Sequence, residues 1–139
     1  MSAAVCEPGT FEDRGRAGHA VSVGAALAFH RGLGGAALRA RNRRLVLAAA
    51  RMLARAWRVE LPLPAALLGS MVSVPLPLPD SASPEAALAL NRRLWRHCRI
   101  EVPVFCLEGR LHVRISAQAY NEPTDYERLA TAILGLAPG

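Results

Sequence analysis

The stretch at residues 110–121 limits most strongly what this chain can fold into. Apolar residues alternate there with polar ones, which is the two-residue period of a strand with one buried face. The apolar set is Leu111, Val113, Ile115 and Ala117. The polar set is His112, Arg114, Ser116 and Gln118. The pattern predicts a strand that packs its apolar face on a core and presents Arg114 from a rigid element.

Arg114 has two interpretations at this stage. A guanidinium held on a strand can take a carboxylate through two parallel hydrogen bonds. It can equally be a solvated arginine on an exposed strand face. Tyr120 and Asn121 end the strand, and Pro123, with Asn121 or Glu122 as the cap, predicts that a helix begins there.

The remaining sequence predicts the order of the other elements. Helices are expected at residues 21–31, 36–59, 84–98 and 123–136, and strands at 69–76, 100–107 and 111–117. Ser83, Pro84 and Glu85 supply a cap, a first-turn proline and an acid at the start of the third helix. Prolines 75, 77 and 79 predict that the first strand leaves the sheet or lies at its edge. The predicted fold class is therefore α+β, with a small, mostly antiparallel three-stranded sheet and helices packed on it.

Two of these helices have a predicted apolar face and a basic face. The inner face of the second is expected to consist of Leu38, Asn42, Leu45, Ala49, Met52, Leu53 and Ala56. That of the third is expected to consist of Ala87, Leu88, Leu94, Trp95 and Cys98. Arg92, Arg93, Arg96 and Arg99 occupy the outer face of the third helix.

The charge of the chain is carried by arginine alone. There are 17 basic residues, all of them arginine, and the net charge is +6. Because the predicted outer faces have no aromatic residues between the arginines, solvated helix faces are preferred over a nucleic-acid site. A missing acidic partner surface is the other interpretation. No apolar run approaches the ~20 residues that span a bilayer, so no membrane partner is expected.

The cysteines give no disulfide or metal pattern. Cys6, Cys98 and Cys106 are odd in number and lack a CxxC spacing, which is typical of reduced thiols in a cytoplasmic protein. His97, Cys98, Cys106 and His112 match no zinc spacing, so no metal site is expected.

Several segments resemble a known family in the same order. The runs VRISAQAYN and DYERLATAIL, with LNRRLWRHCRIEVPVF, GSMVSVPLPLP and FHRGLGGAALRARNRRLVLAAARMLA upstream, resemble the C-terminal small domain of class V aminotransferases. These are fold-type I pyridoxal-phosphate (PLP) enzymes, and the resemblance is to the isopenicillin-N-epimerase-like and cysteine-desulfurase-like branch. It implies that residues 20–139 form the small domain and that residues 1–19 are a loop or a non-family segment.

The resemblance also implies site residues. The family's substrate-carboxylate arginine falls on Arg114. Gly9 and Thr10 resemble a Gly-Thr pair that reaches the cofactor phosphate of the neighbouring subunit, and backbone N–H groups with a hydroxyl suit a phosphate. Expected partners are a PLP-binding large domain or a homodimer partner, with an amino acid as the substrate of the assembled enzyme.

The absence of lysine sets a limit on this function. Enzymes of this family hold PLP as a Schiff base to a lysine, and the chain has none. Three hypotheses follow. The first is a fragment or split half of a PLP enzyme, inactive alone, in which Arg114 binds the substrate carboxylate. The second is a stand-alone interaction domain without PLP chemistry, and the third and least favoured is a basic nucleic-acid-binding protein.

Overall fold

The structure, a computed structural model, describes residues 15–62, 64–78 and 82–136, with side chains described from residue 23 onward. The chain divides into two units, Met1–Gly35 and Ala36–Gly139. The domain boundary expected between residues 19 and 20 is a different one, between family sequence and the residues before it. That boundary stays a prediction.

The first unit contains one helix, α1 (Gly15–Gly32), among its described residues. The helix begins earlier than predicted, so residues 15–19 are helical rather than loop, since no proline interrupts them. It ends at Gly32, as the glycines predicted. The Leu33 amide donates to the Phe29 carbonyl at 3.0 Å, and Gly34 follows with φ of 105°, a conformation that glycine adopts readily.

The second helix, α2 (Gly35–Trp57), matches its predicted range closely. Its buried residues are Leu38, Asn42, Val46, Ala49, Ala50, Leu53 and Trp57. Leu45 and Met52 are half-buried, whereas Ala56 is exposed and was predicted wrongly. The inner face is centred on Val46, Leu53 and Trp57, which places residue 56 about 100° away from Trp57.

Three strands form one antiparallel sheet, as the sequence predicted. They are β1 (Met71–Pro75), β2 (Val104–Leu107) and β3 (Arg110–Ser116), in the spatial order β1-β3-β2. The proline-rich exit of β1 correctly predicted an edge strand. β2 begins later than predicted. Glu108 and Gly109 join β2 to β3 with φ of 50° and 75°, the left-handed pair that a type I′ hairpin turn requires.

The third helix, α3 (Pro84–Arg93), begins as the sequence predicted and continues into a π-helical turn (Leu94–Cys98). The Ser83 hydroxyl accepts from the Ala86 amide at 3.2 Å. Hydrogen bonding to the Ser83 side chain and to its own backbone lowers the pKa of the Glu85 carboxyl.

Two residues predicted on the inner face of α3 are exposed instead. Leu88 is 51% exposed and Trp95 is 49% exposed. The core side of the helix is formed by Ala87, Leu90 and Leu94. Leu88 and Trp95 each follow one of these residues, and one step rotates a side chain about 100° around the axis.

The last helix, α4 (Pro123–Leu136), has the predicted bounds. Tyr126, Leu129 and Ile133 point inward as expected, and Leu136 is half-buried. They join a core shared by α2, the sheet and α3, with Leu53, Leu94 and Val113 fully buried. No helix in the described ranges is both long and apolar enough to cross a membrane.

Candidate functional site

Arg114 lies in the middle of the central strand, on the face that alternation directs away from the core. Leu111, Val113, Ile115 and Ala117 are buried, as the period of the strand predicted. Arg114 is exposed. Its backbone is fixed on both sides, because Ser73 is its register partner on β1 and its amide donates to the Pro103 carbonyl at 3.0 Å.

The residue two positions before Arg114 is less exposed than the alternation indicates. His112 is only 7% exposed, and its ring stacks on that of Phe105 with centroids 5.6 Å apart and an angle of 17°. Its Nδ1 lies 3.2 Å from the Arg110 carbonyl. An aromatic pair therefore adjoins Arg114 on this face of the sheet, across β2 and β3.

Two clefts open beside the Arg114 side chain. The smaller, of about 160 Å³, is mostly apolar and is lined by Leu61, Leu68, Met71 and Ser73 together with Arg114. The larger, of about 260 Å³, has polar walls that include Glu101, Ser116, Tyr120 and Asn121. Within the described ranges the Arg114 guanidinium has no hydrogen-bond or ion-pair partner. A cation between an apolar and a polar cleft suits a small ligand with a carboxylate.

The loop that follows β3 is held by α2. Arg41 donates to the carbonyls of Gln118 at 3.1 Å and Asn121 at 2.9 Å. Beside it, the Asn42 amide donates to Gln118 Oε1 at 3.2 Å, and Asn42 is buried. These bonds tie the polar wall of the larger cleft to a helix of the core.

The helix α4 begins directly after Glu122, one of the two predicted cap residues, but the capping hydrogen bond comes from another side chain. The expected cap was the side chain of Asn121 or Glu122. Instead, Asp125 accepts from the Glu122 amide at 3.0 Å, which is the reaching-back half of a capping box. The Asn121 amide group donates to the same carboxylate at 3.3 Å. The Asp125 carboxylate thus accepts hydrogen bonds both from the Glu122 amide at the start of the helix and from the side chain of Asn121.

The other predicted site residues have different outcomes. Gly9 and Thr10 lie outside the described residues, as does Cys6. Cys98 and Cys106 are half-buried free thiols, and Cys106 Sγ donates to the Ala82 carbonyl at 3.0 Å. In the described ranges, no three His, Cys, Asp or Glu side chains are grouped to hold a metal ion.

Sequence reasoning missed the contacts made by Arg41. The helical spacing places Asn42 among the inward positions of α2, and an amide at such a position requires hydrogen-bond partners. That requirement was the available signal that α2 holds a polar loop.

Comparison with known proteins finds three relatives whose names include L-cysteine desulfhydrase. No protein-family model matches the chain. A probable chloroplastic L-cysteine desulfhydrase of Arabidopsis thaliana is 36% identical over 71% of this chain and 23% of its own length. A putative L-cysteine desulfhydrase 1 of Oryza sativa subsp. japonica is 33% identical over 69% of this chain and 23% of its length.

A further Arabidopsis relative, an L-cysteine desulfhydrase, is 39% identical over 61% of this chain and 22% of its length. The chain thus spans less than a quarter of the curated relatives that it matches. The alignments cover a large part of the present sequence, while most of the relatives' own length has no counterpart in it.

Proposed function

We propose that this chain is the C-terminal small-domain portion of a PLP-dependent, fold-type I enzyme that releases sulfide from L-cysteine. The observation that carries the proposal is the 33–39% identity with three proteins named L-cysteine desulfhydrase. The finer assignment, to the class V aminotransferases and their isopenicillin-N-epimerase-like branch, rests on the order of segments around VRISAQAYN. The cytoplasmic location stays a prediction, and one relative is named chloroplastic.

The residues of this chain do not include a lysine that could bind PLP covalently. PLP supplies an electron sink at the substrate α-carbon in enzymes that bind it through a lysine Schiff base. No lysine occurs among these 139 residues. The lysine must therefore come from outside this sequence, from a large domain or a partner polypeptide, and we assign no cofactor contact to the described residues.

The role proposed for this chain is to bind the substrate carboxylate through Arg114. The strand fixes the Arg114 backbone through Ser73 and Pro103, and the guanidinium is open to both clefts. A planar guanidinium can donate to both carboxylate oxygens at once and so fix the orientation of an amino acid. The smaller cleft, with Leu68 and Met71 as walls, suits a short side chain such as that of cysteine.

The second candidate is a stand-alone interaction domain that retains the fold but not the chemistry. The absence of lysine favours it, since this chain alone cannot form the Schiff base. It predicts cooperative unfolding of the isolated chain without PLP affinity, and no sulfide release from L-cysteine when a lysine-bearing body is supplied. The first candidate predicts sulfide release from that assembly.

A chimera distinguishes the two candidates. The aligned region of the Arabidopsis L-cysteine desulfhydrase is replaced by the matching segment of this chain, and visible absorbance and sulfide release from L-cysteine are measured. The proposal predicts a bound-PLP absorbance band and cysteine-dependent sulfide release. A folded chimera with the band but without sulfide release, beside an active parent enzyme, would favour the interaction domain.

A further inference from the structure

An exposed tryptophan lies among arginines where α3 passes into its π-helical turn. Trp95 is 49% exposed, although its neighbour Leu94 is fully buried. Four arginines surround it in sequence, and all of them are exposed: Arg92, Arg93, Arg96 and Arg99. We call these five residues the Trp95 surface. The sequence disfavoured a nucleic-acid partner because no aromatic residue was predicted between the arginines. The exposed position of Trp95 removes that reason.

The backbone holds Trp95 and Arg99 in one arrangement. The π-helical turn ends at Arg99, which is left-handed with φ of 55°. The Arg99 amide donates to the Trp95 carbonyl at 3.1 Å, and the Ile100 amide donates to the Leu94 carbonyl at 3.2 Å. The Arg99 guanidinium carbon lies 5.8 Å from the indole centroid, within the range of a cation–π contact. The indole and the guanidinium are therefore neighbours before any ligand binds.

The described residues around this surface neutralise little of its positive charge. Within the part of the chain that the structure describes, Arg92, Arg93 and Arg96 form no ion pair or side-chain hydrogen bond. The neighbouring cleft beside Cys98 contains one carboxylate, Glu127, and one further cation, Arg128. A ligand that brings negative charge would therefore find the guanidinium groups available.

We propose that the Trp95 surface binds single-stranded nucleic acid. Unstacked bases lie on aromatic rings and on arginine planes, while guanidinium groups take the phosphates. The surface offers both, with an indole face beside Arg99 and, on the same helix end, three guanidinium groups that have no partner among the described residues. An acidic peptide would be bound by the arginines alone and would give no role to the exposed indole. This inference does not rest on the desulfhydrase-like function.

The test measures the anisotropy of a fluorescein-labelled oligothymidine 12-mer with the full chain at several salt concentrations. One variant carries Arg92→Gln, Arg93→Gln and Arg96→Gln. The matched control carries Arg44→Gln, Arg51→Gln and Arg55→Gln, which remove the same charge from exposed positions of α2. Since each phosphate contact to a single strand contributes about 0.7 to the slope of log K against log salt, the first variant should lose about 2 from that slope. The control should stay near the wild type.

The indole is tested separately. Trp95→Ala should weaken binding roughly 5- to 160-fold, the range for loss of one base stack. Trp95→Phe should retain most of the affinity, because a phenyl ring still stacks. Circular dichroism melts of all variants check that they are folded.

Three results would overturn the proposal. Equal losses from both triple variants would mean diffuse attraction to a basic protein. Unchanged affinity in Trp95→Ala would remove the stacking role. Equal or tighter binding of a duplex, or of a glutamate-rich peptide of the same charge, would assign the surface to another partner.

Discussion

The hydroxyl of Tyr126 donates to the Ser116 carbonyl at 2.7 Å and so joins α4 to the end of β3. Tyr126 is buried, and Ser116 is two residues beyond Arg114 on the same strand. Both residues line the larger cleft, so the bond links two parts of its wall. The helix α4 thus fixes the end of the strand that carries Arg114.

Tyr126→Phe should reduce the free energy of unfolding by about 1 kcal/mol, the usual net value of one hydrogen bond. The ring stays buried, so packing is retained while the Ser116 carbonyl loses its donor. Urea unfolding measures the change. Tyr120→Phe is the control, since Tyr120 is 80% exposed and its substitution should leave stability unchanged. Equal effects of the two substitutions would contradict this role for Tyr126.

The same residue predicts a loss of stability in alkaline solution. Burial, and secondarily the charge of Asp125, raises the pKa of Tyr126 above its ordinary value of 10.0. A raised pKa means that folding favours the neutral phenol, so this contribution is complete below about pH 10 and is lost as the pH rises through the folded pKa. Unfolding free energies measured from pH 9 to 11 should fall more steeply in the wild type than in Tyr126→Phe. Parallel curves would refute the assignment.

Arg41→Gln should destabilise the chain by roughly 1.5–3 kcal/mol, as expected for hydrogen bonds to a charged donor. The guanidinium holds the carbonyls of Gln118 and Asn121, and a shorter amide cannot reach both. Arg44→Gln removes the same charge from an exposed position of the same helix and should stay within about 0.5 kcal/mol. Thermal and urea unfolding of both variants measure the difference, and similar losses would mean that charge alone is responsible.

The sequence predicted those parts of the fold that depend on local periodicity and on turn residues. The alternation at Leu111–Ile115 gave the central strand, and Ser83 with Pro84 gave the start of α3. The apolar character of Trp95 and Leu88 predicts that they are buried, whereas tertiary contacts decide which face of α3 turns to the core. The π-helical turn has no local signature in this sequence. The Arg41 contacts span 77 and 80 residues, which no pattern within one helix can reveal.

The stability of the core should depend on the buried face of α2. Leu53→Ala should cost about 2–5 kcal/mol, the range for removing a buried leucine side chain, since Leu53 is fully buried. Leu88→Ala makes the same chemical change at a residue that is 51% exposed and should cost much less. Denaturant unfolding midpoints distinguish them. Equal losses would mean that the inner faces of the two helices are assigned wrongly.

We propose that Arg114 binds the carboxylate of an amino-acid substrate. The most direct measurement is the KM and kcat for L-cysteine of the desulfhydrase chimera carrying Arg114→Lys, with Arg128→Lys as a matched control on α4. We predict that Arg114→Lys lowers kcat/KM at least tenfold although charge is conserved, because the bidentate contact is lost, and that Arg128→Lys has no effect. Unchanged kcat and KM in a PLP-loaded Arg114→Lys chimera would contradict the account.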